Sequence, residues 1–235
     1  MNPGDPNVAR VEVVAAALGD LCEELVFVGG CAASLLIDTP SAPPTRVTYD
    51  VDVLAEVAAL SGYYALERRF TERGFAKDMS EGAPICRWRV QDVEVDLMPT
   101  DESILGFSNR WYPAAVASAS SVALLSGRRI NLISAPAFLA TKFEAFDTRG
   151  RRDVLVSHDL EDIVNVVDGR AAIVEEIAAA ESGLRAYLAV KFRELSRNPD
   201  FANALPGLVA YDNLYQSRIQ TVRDRTSAIA ELDSL

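Results

Sequence analysis

Asp50-Val51-Asp52 puts two carboxylates on one face of an extended segment, because alternate residues of a strand point the same way. The segment 93–98, Val-Glu-Val-Asp-Leu-Met, repeats the pattern, with Glu94 and Asp96 on one side and Val93, Val95 and Leu97 on the other. In neighbouring strands Asp50, Asp52 and Asp96 would meet. Two such charges about 4 Å apart repel by roughly 4 kcal/mol at an effective dielectric near 20, so a cluster requires a cation. Oxygen ligands without His or Cys beside them select a hard ion, Mg²⁺ or Mn²⁺. Upstream, Gly29-Gly30 separates the apolar run 25–28 from a helical segment. Free N–H groups and the helix dipole attract phosphate there, and glycine permits close approach. These are the parts that metal-assisted transfer from a nucleoside triphosphate requires. Taken singly, Asp-x-Asp also describes the wet face of a half-exposed sheet, and Gly-Gly an ordinary tight turn.

The elements that must position these residues can be read in order. Asp5-Pro6 supplies an N-cap and a first-turn proline, and Val11, Val14, Ala15, Leu18, Leu21 and Leu25 follow with helical spacing. Residues 25–28 read as a buried strand, turned by the glycines into a helix ending near Ile37. The proline-rich stretch 38–45 reads as a mobile loop near the site. A strand over 48–56 leads to a helix reaching Arg73, with Gly74 as its stop. Strands over 85–90 and 93–98, separated by Gln91-Asp92, suggest a hairpin. Residues 101–129 give no clear pattern, and 131–133 read as a short strand. From Pro136 onward the periodicity is helical, with breaks near 148–157, 169–170, 182–183 and 198–207. The expected organisation is an α/β core over 1–133 followed by a helical region over 134–235.

Composition narrows the function classes. With 235 residues, 49% of them hydrophobic, the chain can bury one substantial core or two small ones. No apolar run approaches a membrane span, and Met-Asn-Pro-Gly-Asp-Pro does not read as a signal peptide. Three cysteines without metal-site spacing suit reduced thiols, so a cytoplasmic location is expected. A formal charge of −11 argues against a surface coated with basic groups for nucleic acid, leaving Arg128-Arg129 and Arg149-Gly-Arg-Arg152 as local basic candidates.

The helical half adds a cation. Lys142 lies among Phe138, Leu139, Phe143 and Phe146, so it must either snorkel out or meet an anion. Ser157 caps a helix whose apolar face is Leu160, Ile163, Val164 and Val167, with Asp159 and Asp162 on the other side, where acids favour the helix dipole. His158, the only histidine, reads as exposed and structural beside this cap; Cys31 reads as a small packing residue, and Trp88 and Trp111 as packing aromatics.

The order Gly-Gly, then Arg46-x-Thr48-x-Asp50-Val-Asp52, then Asp96 in an apolar strand resembles the polymerase-β-type nucleotidyltransferase superfamily. Lys142-Phe-Glu-Ala145, Arg149-Gly-Arg-Arg152 and His158-Asp-Leu-Glu-Asp-Ile163 resemble the later motifs of AbiEii-like nucleotidyltransferases, departing at His158, where that family often has Lys. The resemblance covers roughly residues 25–168 and implies an α+β fold. Its core would be a polymerase-β-type nucleotidyltransferase unit, a small mixed sheet flanked by helices, followed by a helical C-terminal part. It implies that Asp50, Asp52 and Asp96 ligate two divalent ions, with Asp96 helping to deprotonate an acceptor hydroxyl. Gly29, Gly30, Ser34, Thr48, Lys142 and Asp159 would contact the nucleotide, ATP or another NTP. It further implies the toxin of a type IV toxin–antitoxin or abortive-infection system, with an antitoxin as partner. The acceptor, whether RNA, protein or small molecule, is left open. So are two rivals: an antibiotic or protein nucleotidyltransferase, and a catalytically inactive nucleotide-binding regulator.

Overall fold

A computed structural model describes residues 3–40, 42, 44–148 and 153–232. The basic stretch 149–152 lies outside them. The chain divides into two compact units: Met1–Leu35 with Arg46–Ser134, and Leu36–Thr45 with Ala135–Leu235.

The first unit holds α1 (Pro6–Leu18), β1 (Leu25–Val28), α2 (Gly29–Leu36, which ends at the unit boundary), β2 (Asp50–Ala55) and α3 (Leu60–Glu72). β3 (Ala76–Lys77), β4 (Arg87–Val90), β5 (Val93–Pro99), α4 (Glu102–Leu105), α5 (Tyr112–Ala117), β6 (Ser120–Ala123) and β7 (Arg129–Leu132) complete it. The strands form one mixed sheet in the order β3-β4-β5-β2-β1-β7-β6. β1 runs antiparallel to β2 and parallel to β7, and β2 runs parallel to β5. Every residue of β1 is buried, as its unbroken apolar run requires of an interior strand.

Local chemistry fixes the ends of these elements. Asp5 caps α1 by accepting from the Asn7 N–H at 2.8 Å, and Pro6 occupies the first turn. The second strand begins at Asp50 rather than 48, because the Thr48 N–H donates to Asn7 Oδ1 (2.9 Å). The stretch 101–129, unreadable by period, contains two short helices and β6, which pairs with β7 as a hairpin. β6 is largely exposed, so no alternation marks it in the sequence.

The second unit is helical among its described residues: α6 (Ala135–Thr148), α7 (His158–Gly169), α8 (Ile173–Ala178), α9 (Ser182–Ser196), α10 (Pro199–Leu208) and α11 (Tyr215–Ala230). α6 is buried around most of its circumference and is the helix on which α7 and α9 pack. The break expected near 198–207 is instead α10. Asn198 caps it, Pro199 sits at the first helical position, where proline is tolerated, and the helix continues through Pro206 in its last turn. The loop expected to be mobile is anchored at its start. The Asp38 and Thr39 N–H groups both donate to the Gly169 carbonyl (3.1 and 3.0 Å), and Arg170 donates to the Leu36 carbonyl (2.7 Å). Ile37 lies so close to Gly169 that a Cβ there would fall 2.8 Å from its side chain. No helix among the described residues is long and apolar enough to cross a membrane.

Asn7 is fully buried, and its amide donates to Ser34 Oγ (3.1 Å) and the Arg46 carbonyl (2.8 Å) while its Oδ1 receives Thr48. Asn7→Ala is expected to lower unfolding stability by about 2–4 kcal/mol, since it strands several buried polar partners at once. Denaturant unfolding measures this; an unchanged midpoint would show that the network is dispensable.

Candidate active site

The parallel register of β2 and β5 pairs Asp50 with Glu94 and Asp52 with Asp96, so the four acids share one face of the sheet. Asp50, Asp52 and Asp96 each offer a carboxylate oxygen, and these atoms lie within 4.8 Å of one another. Val51, Val53, Val95 and Leu97, which alternate with them, are buried on the other face. Asp96 is itself buried, and Asp50 and Asp52 are half-buried.

The glycine turn is built against this cluster. Gly29 has φ +69°, a conformation open to glycine and strained for other residues. A Cβ there would fall inside the Asp52 carboxylate, 2.5 Å from its Cγ. At Gly30 the side chain of Thr48 occupies the space that a Cβ would need. The two glycines therefore let β2 and the segment before it lie directly on the start of α2. The N-terminal turn of α2 is thus brought to Asp52, and the helix dipole favours negative charge there.

Ser34 and Thr48, expected to touch nucleotide, are both buried and joined through Asn7. Thr48 Oγ1 also lies 3.0 Å from Cys31 Sγ, which donates to the Asp50 carbonyl at 3.2 Å. The structure thus gives Ser34 and Thr48 a place in the support of the turn. Burial pushes the Cys31 thiol up to about 12, which leaves it protonated and suits the packing role expected of it. His158 is exposed at the start of α7, Trp88 is buried, and neither belongs to the carboxylate cluster.

Sequence reasoning missed Arg87. Its Nε and Nη2 donate to the two carboxylate oxygens of Asp96 (2.9 and 2.8 Å), Nη1 donates to Glu94 (2.7 Å), and Nη2 reaches Asp50 at 3.1 Å. Its pKa is raised, first by the hydrogen bond to Asp96, against the opposing effect of burial and with added attraction from Asp96, Glu94 and Asp50. The cation required by the clustered acids is therefore supplied in part by the chain. A signal for it existed: the two-residue turn Gln91-Asp92 sets Val90 opposite Val93, so counting back sets Arg87 opposite Asp96. The donor set offered by Asp50, Asp52 and Asp96 is all oxygen. The residues therefore fit a hard divalent ion.

Lys142 belongs to the second unit, and its anions come from the chain. Its Nζ lies 3.1 Å from Asp159 Oδ1 and 2.7 Å from Asp162 Oδ2, with all three side chains nearly inaccessible. The expected choice between snorkelling and meeting an anion is settled by these two aspartates, which turn inward instead of facing water.

No protein-family model and no curated protein matches the sequence. Solved structures similar to it include the following two. The antibiotic-resistance factor ANT(2'')-Ia is 20% identical, with 73% of this chain and 93% of that one covered at a TM-score of 0.44. JHP933 from Helicobacter pylori is 10% identical, with 99% and 95% covered at a TM-score of 0.49. Likenesses this distant do not bear on the chemistry of the site, which rests on its own geometry.

Lys142→Met is expected to destabilise the protein by about 3–5 kcal/mol, because it breaks two buried ion pairs at once. Thermal unfolding tests this. Wild-type stability with nucleotide binding lost would instead make Lys142 a phosphate contact.

Proposed function

We propose that this chain is a metal-dependent nucleotidyltransferase, moving a nucleoside monophosphate from an NTP to an acceptor hydroxyl. The observation that carries the reading is the meeting of Asp50, Asp52 and Asp96 at the glycine-led start of α2, where Asp52 lies against Gly29. Carboxylates alone describe many surfaces. Carboxylates beside a helix N-terminus provide adjacent places for a cation and for the phosphates it would accompany.

In this reading Asp50, Asp52 and Asp96 hold Mg²⁺ or Mn²⁺. Such an ion, when bound, offsets charge developing on the phosphoryl oxygens and makes an acceptor hydroxyl easier to deprotonate. The chain's own groups do the rest. Gly29 and Gly30 present N–H groups to the phosphates. Asp96 takes the proton of the acceptor hydroxyl as its oxygen bonds to the α-phosphorus and the bond to pyrophosphate breaks. Ser34, Thr48 and Asn7 hold the turn. A phosphate contact at Lys142 or Asp159 would compete with the ion pairs that Lys142 makes with Asp159 and Asp162.

A net charge of −11 favours a protein or small-molecule acceptor over RNA, which an acidic surface repels. The resemblance to AbiEii-like enzymes extends the proposal to a toxin role with an antitoxin partner. One observation favours a second reading: Arg87 already neutralises part of the cluster, as suits a regulatory module that binds nucleotide without turnover.

Incubation with each α-labelled NTP, Mg²⁺ or Mn²⁺, and fractionated RNA, protein and small molecules should label one acceptor class. Asp52→Asn and Asp96→Asn should each lower labelling by about a thousandfold, the loss expected when several kcal/mol of transition-state stabilisation disappear. Full activity in either variant would refute the assignment; nucleotide binding with no labelled product in any fraction would favour the regulatory module.

A further inference from the structure

Arg87 touches two of the three proposed metal ligands, and the details of that contact suggest a role beyond charge balance. Its Nε and Nη2 hold both oxygens of Asp96, while Nη2 also reaches Asp50 on the far side of β5. A carboxylate with both oxygens engaged by a guanidinium keeps its orientation, but its most strongly attracting lone pairs are already spent. An incoming divalent ion must then share Asp50 and Asp96 with a fixed positive charge, or displace it.

Displacement is feasible because Arg87 has somewhere to remain. Nη1 donates to Glu94 at 2.7 Å, and Glu94 is not one of the three clustered ligands. Glu94 also receives Arg89 Nη2 at 2.6 Å, and Arg89 Nε is in turn held by Asp78 at 2.8 Å. Asp50 is partly exposed, so water and ions have access to the shared oxygens. The Arg87 side chain is only partly buried, leaving it room to shift.

We infer that Arg87 is an exchangeable internal counter-ion. It holds Asp50 and Asp96 in register without metal, then gives up its contact with Asp50 and loosens that with Asp96 when a divalent ion binds, retaining Glu94 as its anchor. It is a positioning residue, and it sets the metal affinity by competing for the ligands. This inference rests on the metal-site reading of Asp50, Asp52 and Asp96.

The test compares Mn²⁺ affinity, by titration followed with electron paramagnetic resonance, in wild type, Arg87→Gln and Arg87→Lys, with thermal unfolding at zero and saturating Mn²⁺. Arg87→Gln should bind Mn²⁺ about tenfold more tightly or better, the scale expected when a unit charge a few ångströms from the ion is removed. It should melt lower than wild type without metal and recover most of that loss with it. Arg87→Lys keeps the charge but cannot hold both Asp96 oxygens, so its affinity should fall between the two. It also carries the test if Arg87→Gln does not fold. If wild type binds Mn²⁺ and the folded variants bind equally or more weakly, Arg87 is structural and the inference fails alone. If no protein binds Mn²⁺, the metal-site reading fails and takes the inference with it. Tight binding by Arg87→Gln alone supports the inference in its strongest form.

Discussion

Strands β2 and β5 can pair only if four acids on one face tolerate each other. The parallel register places Asp50 beside Glu94 and Asp52 beside Asp96, and the buried valines behind them prevent either strand from turning over. A slip of one residue would bury the carboxylates and expose the core face. The sheet is therefore committed to an acidic cluster, and some cation has to offset it. Arg87 does so from β4, whose own register is set by a two-residue turn. Hydrophobic alternation, hairpin length and electrostatics thus converge on one patch.

The glycine turn obeys the same constraint. β1 is antiparallel to β2 and pairs Val28 with Asp52, so the residues after Val28 must pass close to that carboxylate. Only residues without a Cβ can occupy Gly29 and Gly30 with Asp52 and Thr48 in place. The sequence suggests that these glycines permit phosphate to approach. The structure shows a second requirement that comes first: they permit β2 itself to approach. Both meet at the start of α2, so folding the turn also builds the proposed phosphate site.

Much of this was legible from residue order. The acidic alternation, the Gly-Gly turn, the hairpin at Gln91-Asp92 and the Asp5-Pro6 cap are local patterns with local causes, and each appears where the pattern places it. What was not legible depends on contacts distant in sequence. Asn7 reaches Thr48 across 41 positions, and the anions that meet Lys142 lie 17 and more positions away. Asn198-Pro199 and Pro206-Gly207 look like breakers, yet Pro199 opens α10, where proline is tolerated, and the helix runs on through Pro206. Arg87 is the intermediate case, since its partner could have been found by counting across the hairpin but not by composition.

The proposal that three carboxylates beside a glycine-led helix form a divalent-ion site for an NTP can be tested directly by crystallography with Mn²⁺ and a non-hydrolysable nucleoside triphosphate. Anomalous difference maps at the manganese edge should place the ion among Asp50, Asp52 and Asp96, with Arg87 shifted toward Glu94 and the triphosphate at the Gly29-Gly30 turn. Manganese bound elsewhere would contradict the account, whereas Arg87 still bridging Asp50 and Asp96 at saturating ion would overturn only the exchange of counter-ions.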